Sequence, residues 1–158
     1  MNFDTAFTKV LGHEGGFSDH PDDPGGKTRF GVTEAVARRV GYKGEMRELP
    51  LDLAKQIYKR DYWDAVKADQ LPAGVRYAVF DAAVNSGVGQ ATKWLQRALG
   101  VRDDGVIGPA TLAAANAQNA DALRMRVLAQ RLRFMASLPN WPAFSRGWSR
   151  RIADLMEV

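Results

Sequence analysis

Glu14 stands in HEGGF, at the end of a predicted helix, with two glycines and an aromatic behind it. A helix C-terminus carries partial negative charge, which disfavours an ionised carboxylate and raises its pKa, as a general acid working near neutrality requires. Gly15 and Gly16 put no side chain beside it, so a bulky ligand can approach. The same pattern also fits an ordinary solvated Glu before a glycine cap. Beyond it, Asp19, Asp22 and Asp23 cluster in a turn and Thr28 follows. A helix-ending Glu facing a carboxylate and a hydroxyl is a glycosidase layout, in which one group protonates the leaving oxygen and another positions water or stabilises an oxocarbenium-like centre. Turn aspartates also cap local amides, and that alone accounts for such a cluster. Two further groups carry potential chemistry. Tyr62 and Trp63 close a predicted helix as aromatics on which a sugar can stack, with core packing as the competing account for Trp63. Asp81 and Asn85 lie four apart on an apolar helix, where polar groups need partners; Asn85 is assigned to the cleft and Asp81 to bracing.

The elements that must position these groups are mostly helical. Phe3, Phe7, Val10 and Leu11 recur at helical spacing, with Asp4 or Thr5 as N-cap and a stop at about Glu14. Periodicity vanishes over Phe17 to Phe30, where DHPDDPGGKT predicts a hairpin or ordered loop, with Pro24 and Gly25 in a type II turn. Helices are then expected from Thr33 to Gly41, Leu51 to about Trp63, Pro72 to Gly87, Gly89 to Leu99, Pro109 to about Ala117, Asp121 to Ser137 and Pro142 to Met156. The third of these is apolar almost throughout and is read as the central helix. Phe144 and Trp148, at i and i+4, are read as core. The late arginines, from Arg124 to Arg151, are read as a solvated face.

A chain of 158 residues fits a single domain, with a radius of gyration of about 15 Å and a full hydrophobic core. The absence of cysteine excludes disulfides, thiolate metal sites and cysteine nucleophiles, and two histidines make a multi-histidine metal site improbable, so no cofactor is expected. A net charge of +4 suits an anionic partner: nucleic acid, anionic lipid or bacterial wall polymer. No recognition-helix or basic-aromatic motif supports nucleic acid, and no run approaches 18 apolar residues, so stable membrane insertion is not expected. The amino-terminal segment has Asp4 and no basic segment followed by an apolar run, so no secretory signal is expected.

In combination, HEGGF at 13 to 17, DPGGKTRFG at 23 to 31, YKRDYW at 58 to 63, FDAAVNSG at 80 to 87 and LQRALGVRDDGVIGPATL at 95 to 112 resemble the glycoside hydrolase family 108 lysozymes of the phage-endolysin, N-acetylmuramidase type. The last stretch also resembles the motif of peptidoglycan-binding modules, with Asp104 and Gly105 in a turn and Pro109 starting a helix. Phe17 replaces the family's usual Tyr, and Arg29 stands where Asn is commoner. The resemblance implies a mainly α, lysozyme-like domain of about eight helices with a small hairpin or ordered loop near 17–30. Residues 1–88 would form the catalytic part and 89–158 a helical carboxy-terminal part. It implies Glu14 as general acid with Asp23 and Thr28 as partners, Phe17 in substrate binding, and peptidoglycan as substrate. The implied reaction is hydrolysis of the β-1,4 bond between N-acetylmuramic acid and N-acetylglucosamine. Lytic transglycosylation and a non-catalytic wall-binding module are the alternatives. A monomer made in the cytoplasm, reaching the host's periplasmic wall through a separate holin-type pore, completes the expectation.

Overall fold

The computed structural model describes every residue except Gly15, Asp23 and Pro24, with Glu14 described by its backbone alone. Among the described residues the chain is mainly α, with eight α-helices and one three-stranded antiparallel sheet. It divides into two compact units, Asn2–Asp61 and Tyr62–Val158 together with Met1.

The amino-terminal unit opens with α1 (Phe3–Glu14). Its cap is neither Asp4 nor Thr5: the Asn2 side chain accepts from the Thr5 amide at 3.0 Å, so the helix starts earlier than the apolar spacing suggests. Phe3, Ala6, Phe7 and Val10 form its buried face. The Phe7 ring meets Tyr58 edge-on at 5.4 Å. Strands β1 (Phe17–Ser18), β2 (Thr28–Arg29) and β3 (Val32–Thr33) then form the sheet in the order β1-β2-β3. The expected hairpin is thus present with a third strand added; the turn predicted at Pro24 lies outside the described residues. The tight turn is instead Phe30-Gly31, with φ of +51° and +73°, the two left-handed residues that a two-residue hairpin of native twist demands. Gly adopts this freely, whereas Phe pays about 1–2 kcal/mol. A hydrogen bond donated by the Tyr58 hydroxyl to the Phe30 carbonyl, 2.8 Å long, holds it there. Helix α2 (Glu34–Arg39) is capped by Thr33, whose hydroxyl accepts from the Val36 amide at 3.3 Å. Helix α3 (Leu51–Tyr58) is shorter than expected, because Lys59–Trp63 widens into a π-helical turn.

The carboxy-terminal unit is built on α4 (Ala73–Ser86), whose residues from Val75 to Ala83 are buried apart from Arg76. Around it lie α5 (Val88–Leu99), α6 (Pro109–Asn116), α7 (Ala120–Ala136) and α8 (Trp141–Met156), with α4 packed on α5 and α7 and α7 packed on α8. Pro109 begins α6, where its missing N–H costs nothing. Between α5 and α6, the Gln96 side chain organises the loop: its amide donates to Asp104 at 2.8 Å, the Val106 carbonyl at 3.0 Å and Thr111 at 3.2 Å, while its oxygen accepts from the Gly105 amide at 2.9 Å. Gly105, at φ +78°, makes the turn possible. Phe144 and Trp148 are not core. Phe144 is 52% exposed and its ring stacks on the half-buried Trp148 at 5.4 Å, because α8 buries its apolar stripe only at Ile152 and Leu155.

No helix among the described residues is long and apolar enough to cross a membrane.

Candidate active site

The backbone of α1 runs to Glu14, and β1 begins three residues later, so the acid candidate occupies the last helical position before the sheet. Asp23, the second candidate, lies outside the described residues.

Sheet register sorts the remaining candidates. Phe17 pairs with Arg29 and Ser18 with Thr28; Arg29 pairs with Val32 and Thr28 with Thr33. Directly opposed residues share a face and successive residues alternate, so Phe17, Arg29 and the buried Val32 form one row and the hydroxyl residues Ser18, Thr28 and Thr33 the other. Thr28 and Phe17 are therefore close in the sheet but on opposite faces. Phe17 is half-buried, and the Arg47 guanidinium covers its ring at 4.1 Å. Arg29 lies over the Phe30 ring at 4.3 Å.

In the carboxy-terminal unit the structure treats the other candidates differently. Tyr62 is half-buried in the π-helical turn. Trp63 has no exposed surface and packs edge-on against Phe80 at 5.3 Å, so its ring is core and offers no face to a sugar. Core packing, the competing account for Trp63, is thus the one the structure supports. Asn85 is exposed, and its side-chain oxygen accepts from Arg131 at 3.0 Å.

Sequence reasoning missed the partners of Asp81. Its carboxylate is fully buried and accepts from Arg131 at 2.6 Å and from Arg151 at 2.9 and 3.1 Å, pinning α7 and α8 to α4. Burial pushes this carboxyl up, and the two guanidiniums outweigh it, holding it below the usual carboxylate range. Arg131 is 1% exposed, so neither it nor Arg151 belongs to the expected solvated face, whereas Arg133, Arg146 and Arg150 do. The usable signal was the acid itself: an aspartate in an apolar central helix requires buried cations.

Two cavities are lined by other described residues. One, of about 500 Å³, lies beside the start of α1, lined by Phe3, Asp4, Lys55 and Lys59 among others; the other, of about 310 Å³, is lined by Gly74, Tyr77, Arg124 and Leu155 among others. Among the described residues no three acidic or histidine side chains group as metal ligands.

Residues 7–87 match the family model for Glycosyl hydrolase 108, and residues 90–153 match the model for a Predicted Peptidoglycan domain. The solved structure titled "Structure of Brucella abortus SagA" is similar at 38% identity and a TM-score of 0.88, over 98% of this chain and 91% of that one. No curated protein matches. The first match runs from within α1 through the sheet to α4, the second spans the helices that follow in sequence, and with a like-folded relative along nearly the full length the chain belongs to the glycosyl hydrolase 108 family, as a protein of peptidoglycan hydrolysis or binding.

Proposed function

We propose that the chain is an N-acetylmuramidase that hydrolyses the β-1,4 bond between N-acetylmuramic acid and N-acetylglucosamine, with Glu14 as general acid. The observation that carries this reading is the position of Glu14 as the last residue of α1, inside the stretch matched to the hydrolase family and three residues before the sheet. The helix end favours the protonated carboxyl that leaving-group protonation consumes. Asp23 and Thr28 are its proposed partners, holding the attacking water or stabilising the cationic sugar centre. Phe17, Tyr62 and Asn85 are proposed to contact the glycan. The basic surface, net +4, draws the protein to the anionic wall.

A turbidity assay on outer-membrane-stripped Gram-negative cells, with reducing-end and mass analysis of the products, tests substrate, reaction and acid together. Glu14→Gln keeps the size of the side chain and removes the proton donor, so near-complete loss of lysis is expected in a folded variant. Substantial residual lysis would sink the assignment of Glu14, and anhydro-muramyl ends would replace hydrolysis by lytic transglycosylation. We further propose that the protein acts as a monomer, is made in the cytoplasm and reaches the wall through a separate pore-forming protein. Expression alone, without membrane permeabilisation, then leaves cells intact.

A further inference from the structure

Five arginines of the described chain are not exposed: Arg29, Arg76, Arg124, Arg131 and Arg151. Four of them donate to carboxylates or backbone carbonyls. Arg29 is different. Among the described residues its guanidinium has no carboxylate or carbonyl acceptor; its buried Nε lacks a partner, as those of Arg124 and Arg131 do, but the terminal nitrogens of those two are bonded to carboxylates. The Arg29 guanidinium carbon lies 4.3 Å from the centre of the Phe30 ring. Stacking on a ring occupies the flat face of a guanidinium and leaves its in-plane N–H fork unused. That fork matches a carboxylate in two parallel hydrogen bonds.

The location gives this unused fork its meaning. Arg29 is cross-strand partner to Phe17, and its Nη1 lies 3.9 Å from where a side chain on Gly16 would begin, two residues from the end of α1. Arg47 places a second guanidinium nearby, over the ring of Phe17, while Arg29 lies over that of Phe30. A half-buried cation is costly to leave unpaired, and among the described residues no carboxylate pairs with Arg29.

Resting on the glycosidase reading above, we propose that Arg29 is a specificity-determining residue that binds a free carboxylate of the peptide stem, which the muramyl unit carries in amide linkage on its lactyl group. Phe17 then provides the apolar floor beside it, and Arg47 strengthens the local positive potential. Neutral glycans of the same linkage lack the group that Arg29 selects.

The test is binding of the full chain, in the non-hydrolysing Glu14→Gln background, to purified sacculi, either native or with their carboxyl groups converted to primary amides. Arg29→Gln is expected to weaken binding to native sacculi about tenfold, and amidation is expected to weaken the Arg29 protein by a similar factor. On amidated sacculi Arg29→Gln should cost nothing more. Arg29→Lys, which keeps charge but not the fork, should fall between and guards against a folding defect in the Gln variant. Arg150→Gln, an exposed arginine on α8, should show no such coupling to amidation. Stripping the stems with an amidase removes their carboxylates and, by hydrolysing the amide, frees a lactyl carboxylate in their place: loss of the Arg29 effect is expected, and an undiminished effect overturns the assignment to the stem. Equal loss on native and amidated sacculi, or no loss on either, overturns the proposal. A wild-type protein that neither binds nor clears sacculi overturns the glycosidase reading instead, whereas one that clears them while Arg29→Gln binds undiminished overturns only the role of Arg29.

Discussion

The helical unit and the small sheet handle buried polarity in opposite ways. In the helical unit Asp81 is ringed by Arg131 and Arg151, and the Gln96 amide uses both its ends on the loop that follows α5. In the sheet, the Arg29 guanidinium meets no carboxylate among the described residues and leans on a ring. The first arrangement is closed in charge, Asp81 and its two arginines answering one another even though the Arg131 Nε has no partner, and it resists change because removing one member strands another. The second is open, and an open polar group is what a ligand can complete. The contrast separates polar residues that hold the molecule together from those that meet something else.

The largest effect that can break this contrast is expected at Asp81. Asp81→Ala leaves two guanidiniums without their counter-ion and should cost about 3–5 kcal/mol in denaturant unfolding. A cost below about 1 kcal/mol would mean the cluster is not structural. Its acid dependence follows from linkage. The folded carboxyl titrates below its unfolded value, so the unfolded chain binds the proton first as pH falls. The contribution of Asp81 is therefore fully present above about pH 4 and is lost as pH drops through the depressed folded value. Unfolding measured from pH 7 down to pH 2 should show this loss, reduced in Asp81→Asn.

A smaller effect is expected at Gln96, which is 1% exposed. Gln96→Leu strands the Gly105 amide and should cost about 2–3 kcal/mol, read as a shifted unfolding midpoint with faster amide exchange over residues 103–106. Tyr58→Phe removes the bond to the Phe30 carbonyl, and about 1 kcal/mol is expected, with greater mobility at the Phe30-Gly31 turn by NMR. The smallest is expected at Arg29, whose replacement by Gln should shift stability by no more than about 0.5 kcal/mol while binding to sacculi drops. If Arg29→Gln instead unfolded the protein as Asp81→Ala does, the two regions would not differ in kind.

Much of the fold was readable because its signals are local. Thr33 caps α2, Pro109 opens α6 and Gly100 closes α5 in a left-handed conformation, each within a turn of the residue that reveals it. The position of Glu14 at the end of α1 was readable for the same reason. The choice between sugar platform and core for Trp63 was not: it rests on the packing of its ring against Phe80, 17 residues on, and the π-helical turn it ends is not distinguished in YKRDYW from an α-helical one. Phe17 and Thr28 were both legible as candidates, but their separation onto opposite faces follows from a register set by the Phe30-Gly31 hairpin, and a shift of one residue would reverse it.

By itself the sequence determined the helical class, the start and end of most helices and the acid at the close of α1, because caps, glycines and 3.6-residue periodicity act over a few neighbouring residues. Tertiary structure alone decided which cations are answered. Arg131 and Arg151 reach Asp81 across 50 and 70 residues of chain, and Arg29 reaches no acid among the described residues. Such pairing depends on how helices rotate and pack against one another, and that geometry is set by the whole core at once.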